Sequence, residues 1–307
     1  MFKCQQNLAS LLIIGVGLSG VLFIDLATFL VAVVTLLMVT VPRLQVSSAG
    51  GGASSLWQDL RAGLVYIRVR PGLISIIALF VAINFITGLT FHSTLPALIL
   101  ARSGGDQWAL AMVQAAIGGA ALLGSAAVAL WGGPRRKIHG VLLGAAFSFL
   151  WADLAFALGR TLPIWVIGAI GGAVVIPLID SSNLAILQAK VAPAMQGRFF
   201  ALFHTARQSL IPPAILLGGL LSDRWLEPAM APTGFLAPQL RWLVGTGPGA
   251  GIALLFVGAA LAGATVCLAG YLFPALRNIE ADLADHDVAM PVTASGDLVV
   301  QGVGVTG

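Results

Sequence analysis

A chain of 307 residues that is 58% hydrophobic and 9% charged, with a mean hydropathy of +0.98, is not a water-soluble globular domain, in which about a quarter of residues carry charge. The net charge of +4 and isoelectric point near 9.6 do not argue for nucleic acid as a partner, because basic residues in so apolar a chain record membrane orientation. Cys4 and Cys267 lie far apart, and Cys267 falls in an apolar run, which argues against a structural disulfide.

In chain order, the apolar stretch 8–18 is too short to cross a bilayer and is not followed by a small-residue cleavage pattern, so it reads as a partial helix. At about 20 apolar residues per crossing, spans are predicted at 21–41, 72–98, 107–131, 138–158, 162–189, 197–221 and 249–275. Pro42 and the Ser/Gly run from Ser47 to Ser55 make a flexible connection after the first. Beyond it, Ser55 and Gln58 have capping-box spacing, and Leu56, Leu60, Leu64 and Ile67 recur at helical spacing. They predict an amphipathic helix lying either on the cytoplasmic membrane surface or against the bundle. After Leu276 come Glu280, Asp282, Asp285 and Asp287 and then a low-complexity stretch, a composition that predicts a disordered tail over 277–307.

Alternation of the spans puts Arg43, Arg61, Arg68, Arg70, Arg135, Arg136, Lys137, Lys190, Arg198 and Arg277 on one side and Arg102, Arg160, Arg224 and Arg241 on the other. The richer side is expected to be cytoplasmic, and the C-terminus with it. The cluster Arg135, Arg136 and Lys137 would anchor its loop at anionic headgroups, at about 1 kcal/mol per basic residue.

Charged side chains inside apolar spans are costly and usually face a cavity or a partner. Asp180 lies ten residues from Lys190, roughly 15 Å along a helix and near the middle of a hydrocarbon core about 30 Å thick. If spans 162–189 and 197–221 form a hairpin about Pro193, Asp180 meets Arg207 and Asn183 meets His204. Asp180 and Asn183 are three apart, as are His204 and Arg207, so each pair shares a helix face. Two roles stay open for the quartet: a proton-coupled switch, in which protonating Asp180 frees Arg207, or static contacts between helices.

Asn84 and His92 in span 72–98 share a face and are further candidates for lining a cavity. Asp25 and Asp153 fall near the outer ends of their spans and read as interfacial. Gly140 with Gly144, and Gly168 with Gly172, are spaced for close helix approach. Pro177, Pro212 and Pro213 should kink the helices that carry the quartet. The sequence shows no phosphate-binding loop, no Cys/His metal spacing and no nucleophile with a paired base, so neither cofactor nor catalysis is expected, an intramembrane enzyme being a remote alternative.

The segments VLFIDLATFLVAV at 21–33, WGGPRRKIHGVLLG at 131–144, QAKVAPAMQGRFFALFHTARQ at 188–208 and GGLLSDRWLEP at 218–228 resemble the macrolide-efflux-like branch of the major facilitator superfamily. That resemblance implies an all-α bundle comprising the second six-helix half of a twelve-helix transporter, at 72–276. Residues 1–45 would be the last one to two helices of the first half, and 46–71 the linker. It further implies efflux of amphipathic drugs such as macrolides, coupled to protons. The chain departs from the family in lacking the first four helices and the aspartate expected in the loop 131–137. Either a missing N-terminal half or a second copy is therefore an expected partner, and a non-transporting fragment is the alternative.

Overall fold

The computed structural model describes Leu26, Thr28, Leu30, Val33 to Thr35, and residues 56–282. The partial helix 8–18, Asp25, the connection 42–55, the Ser55–Gln58 capping box and residues 283–307 lie outside the described residues. Those described form helices and turns, with no strand among them.

Eight helices carry the architecture: α1 Leu56–Arg68, α2 Pro71–Ser103, α3 Gln107–Trp131, α4 Lys137–Leu158, α5 Leu162–Lys190, α6 Pro193–Ser209, α7 Ile211–Leu220 and α8 Ala250–Leu272. Proline at the first or second position starts α2, α5 and α6, where its missing N–H costs nothing. Gly104 and Gly132 end α2 and α3 in the left-handed conformation, at φ 70° and 78°, which glycine adopts without a Cβ penalty. Between them, the Asp106 carboxylate accepts from Trp108 N at 2.8 Å and caps α3.

Five of these, α2 to α5 and α8, are long and apolar enough to cross a bilayer, so the chain is an all-α polytopic membrane protein. The crossing expected at 197–221 is helical but is not among the five. Gln196, Arg198, His204, Arg207 and Gln208 dilute its apolar surface. A turn at Leu210, two residues before Pro212, separates α6 from α7, and a matching turn at Val175, two before Pro177, divides α5. Each proline removes a helical donor and crowds the carbonyl four residues earlier, which places the break just ahead of it. Three π-helical turns, Gly88–His92 in α2, Phe149–Asp153 in α4 and Leu221–Leu226 after α7, had no counterpart in the hydropathy pattern.

Small residues draw the bundle together. On α4, Gly140 and Gly144 receive Ser182 and Ile179 of α5, while Gly168 and Gly172 of α5 receive Ala155 and Ala152 of α4. Both glycine pairs thus belong to one antiparallel seam running most of the length of the two helices. Gly124 of α3 lies against the Val174 carbonyl of α5, and Gly218 of α7 against the Leu89 carbonyl of α2, approaches too close for a Cβ. Helix α8 packs centrally on α2 and α4, with the Phe149 ring over Gly263 and Phe156 edge-on to Phe256 at 6.1 Å.

The polar ends sort into two groups. At one end Glu280 Oε1 accepts from Lys137 N at 2.7 Å, and Lys190 Nζ donates to the Glu280 carbonyl. At the other, the Arg102 guanidinium donates to the carbonyls of Ala157 and Gly159 at 2.7 Å and of Val244 at 2.8 Å. Helix α1 belongs to the first end and rests on the bundle: Gly63 meets Leu202 of α6, Ile67 joins the core, and Tyr66 Oη accepts from Ala192 N at 3.2 Å. The first residues assigned to a disordered tail are instead helical, at Pro274–Arg277 and Ile279–Asp282. Leu276 and Ile279, three apart, are buried against the bundle, a contact that the acidic composition conceals.

Candidate functional site

The two proline-broken helices position the central pair. Arg207, near the end of α6, places Nη2 3.4 Å from Asp180 Oδ1, on the second piece of α5. The guanidinium carbon also stands 5.3 Å from the centre of the Phe80 ring of α2. Neither partner is sealed: the Arg207 and Asp180 side chains are 28% and 49% exposed. An ion pair open to this extent and this long is worth well under the several kcal/mol of a buried one.

The expected hairpin is not how the pair forms. Helix α6 packs on α1 and α2 rather than along α5, whose close-packing face is given to α3 and α4. The long arginine bridges the gap; the shorter Asn183 and His204 do not. Asn183 is buried at 4% exposure, turned into the α5 interface, and its Oδ1 has no hydrogen-bond partner among the described residues. His204 is exposed and packs its ring against Phe200 and Phe203, with centroids 6.4 and 5.7 Å away. The quartet therefore reduces to one ion pair, one orphaned amide and one surface histidine.

An aromatic floor lies beside the pair, and the sequence reading passed over it. Phe203 meets Phe80 edge-on at 5.8 Å and stacks on Phe199 at 6.0 Å, all three buried. Its signal was legible: Phe199, Phe203 and Arg207 recur every four residues along one helix face.

The remaining candidates disperse. Asn84 donates Nδ2 to its own helix at the Phe80 carbonyl, 2.7 Å away, and is half-buried. His92 is exposed at the end of the first π-helical turn, edge-on to Phe91 at 5.8 Å. Arg135 and Arg136 are exposed in the loop before α4, whereas Lys137 turns back, donating Nζ to the Gly132 carbonyl at 2.6 Å. Next to that loop His139 Nδ1 lies 2.7 Å from Tyr271 Oη, with the rings stacked. Asp153, read as interfacial, is in fact 7% exposed within the bundle, because the π-helical turn that ends at it presses against α8.

No group of three or more His, Cys, Asp or Glu side chains able to hold a metal ion occurs among the described residues. Comparison with protein-family models, with curated proteins and with solved structures finds no match. Fold and site together define a multi-pass helical membrane protein with an acid–base pair set on the partly open side of two broken helices.

Proposed function

We propose that this bundle is the second half of a major facilitator transporter, which exports amphipathic, cationic compounds such as macrolides across the cell membrane in exchange for protons. The observation that carries the proposal is the Asp180–Arg207 pair, half exposed, beside the Phe80 ring and next to helix breaks at Val175 and Leu210. A charge facing lipid is expensive, so the half-exposed Asp180 on span α5 argues for a water-filled cavity on that side. Aromatic faces beside a carboxylate offer an amphipathic cation both apolar contact and charge.

The mechanism follows from the small size of the attraction. An exposed pair contributes up to about 1 kcal/mol, so parting it costs little. In this proposal a proton bound at Asp180 releases Arg207. The second piece of α5 and helix α6 are thereby freed to change tilt about the breaks at Val175 and Leu210, and an arriving cationic substrate competes with Arg207 for the same carboxylate. The basic end, with Arg135 and Arg136 exposed, faces the cytoplasm in this proposal, and the C-terminus lies on that side.

Proteoliposomes holding the full chain, given an imposed pH gradient and a fluorescent lipophilic cation, test this. Gradient-driven dye movement is expected with the wild type and its loss with Asp180→Asn, whose thermal stability should stay within about 1 kcal/mol of wild type. Dye movement unchanged in Asp180→Asn removes the pair from the mechanism.

A further inference from the structure

Asp153 is buried, acidic and unused by the mechanism above. It ends the Phe149–Asp153 π-helical turn of α4, a local widening that occurs disproportionately at functional positions. Phe149, four residues before it, covers Gly263 of α8, and Phe156, three after it, meets Phe256 of α8. Asp153 therefore lies between two phenylalanines on the α8 side of α4, opposite the face whose Ala152 and Ala155 meet the glycines of α5.

Charge is scarce around it. The Leu162–Val174 piece of α5 and the Leu154–Leu158 end of α4 carry no titratable residue, and α8 carries Cys267 alone before Tyr271. The earlier part of α4 has Lys137 and His139, more than three turns away at the opposite end, where they engage Gly132 and Tyr271. Toward the nearer end stand Arg102, whose guanidinium is taken up by carbonyls of Phe156, Ala157, Gly159 and Val244, and Glu227, which accepts from Ile252 N. Arg160 sits against Gly245, and Asp223 and Arg224 lie in the π-helical turn that packs on α8. Among the described residues no hydrogen bond or ion pair reaches the Asp153 carboxyl. A carboxylate buried to 7% exposure without a partner is disfavoured, so the closed seam favours the neutral acid, and its charged form requires water.

We propose that Asp153 is a second proton-binding site, separate from the Asp180–Arg207 pair, which gives up its proton to water when α4 and α8 part and takes one from hydronium before they close. The exchange involves no other reactant. As a route for coupled protons it rests on the transport reading, but proton binding itself does not.

Infrared difference spectroscopy of the full chain in lipid, stepped between acid and alkaline buffer, tests the two separately. A protonated-carboxyl stretch that appears and vanishes with the steps, shifts in heavy water, is lost in Asp153→Asn and survives in Asp180→Asn is the expected result. A stretch that stays constant at every pH shows a permanently neutral structural side chain and overturns the proposal. So does persistence in Asp153→Asn of that same titrating band, the one that survives in Asp180→Asn. Should Asp153→Asn fold poorly, Asp153→Glu must displace the band rather than abolish it; an unmoved band counts against the assignment. Failure of dye transport with the Asp153 band intact refutes the transport reading alone.

Discussion

Asn183 isolates the question of what a buried polar group is for. Its Oδ1 is enclosed and without a partner, and an unsatisfied buried acceptor costs about 1–3 kcal/mol. A leucine keeps the branched heavy-atom outline and removes that penalty, so Asn183→Leu should leave thermal stability unchanged or raise it by about 1 kcal/mol. Differential scanning fluorimetry in detergent measures it, and a clear loss of stability shows instead that the amide is satisfied. Transport lost in a stable Asn183→Leu protein marks the orphaned oxygen as an acceptor for something that passes through. At this scale the sequence told half the story. Intramembrane depth singled out Asp180 and Arg207 correctly as partners, because an arginine is long enough to tolerate imperfect helix registration. Asn183 and His204 needed the two helices to lie side by side, which the packing of α6 on α1 and α2 prevents. Asp153 was misplaced for another reason: counting residues from a span end gives depth but not which face a side chain occupies.

Between helices, the glycines make contrasting predictions. A Cβ at Gly124 runs into the Val174 carbonyl, a backbone atom unable to yield, whereas a Cβ at Gly119, on the same helix, meets nothing within 4 Å. Gly124→Ala should cost about 1–3 kcal/mol by overpacking. Gly119→Ala should be neutral or stabilising by up to about 1 kcal/mol through helix propensity. Equal unfolding midpoints for the two variants contradict the α3–α5 contact. The short helix Ile279–Asp282 invites a similar test, since Ile279 is fully buried where composition alone predicted disorder. Ile279→Ala should lose about 2–5 kcal/mol. Five of the seven predicted spans, the glycine seams and the proline breaks were readable, because each depends on residues close in sequence; the crossing expected at 197–221 is broken at Leu210 and diluted by polar residues, and 21–41 lies mostly outside the described residues. The π-helical turns and the docking of 274–282 depend on contacts between distant segments, for which hydropathy carries no signal.

Taken whole, the molecule has two chemically different ends, and its orientation can be measured. The end built from Gly132, Lys137, Lys190 and Glu280 also presents Arg135 and Arg136 to solvent, and the opposite end presents Arg160 beside Gly245. Excess basic residues are retained on the cytoplasmic side during insertion. In a protein whose Cys4 is replaced by serine, the remaining Cys267 is buried and should be silent toward reagents. Arg160→Cys should then react with a membrane-impermeant maleimide in intact cells, and Arg136→Cys only after permeabilisation. The reverse pattern inverts the orientation, and with it the direction in which a proton gradient would drive Asp180. Reaction of both from one side is a graver result: it is incompatible with α4 crossing the membrane, since Arg136 and Arg160 bracket that single helix, and it would remove the span on which the glycine seam and the Asp153 site both depend.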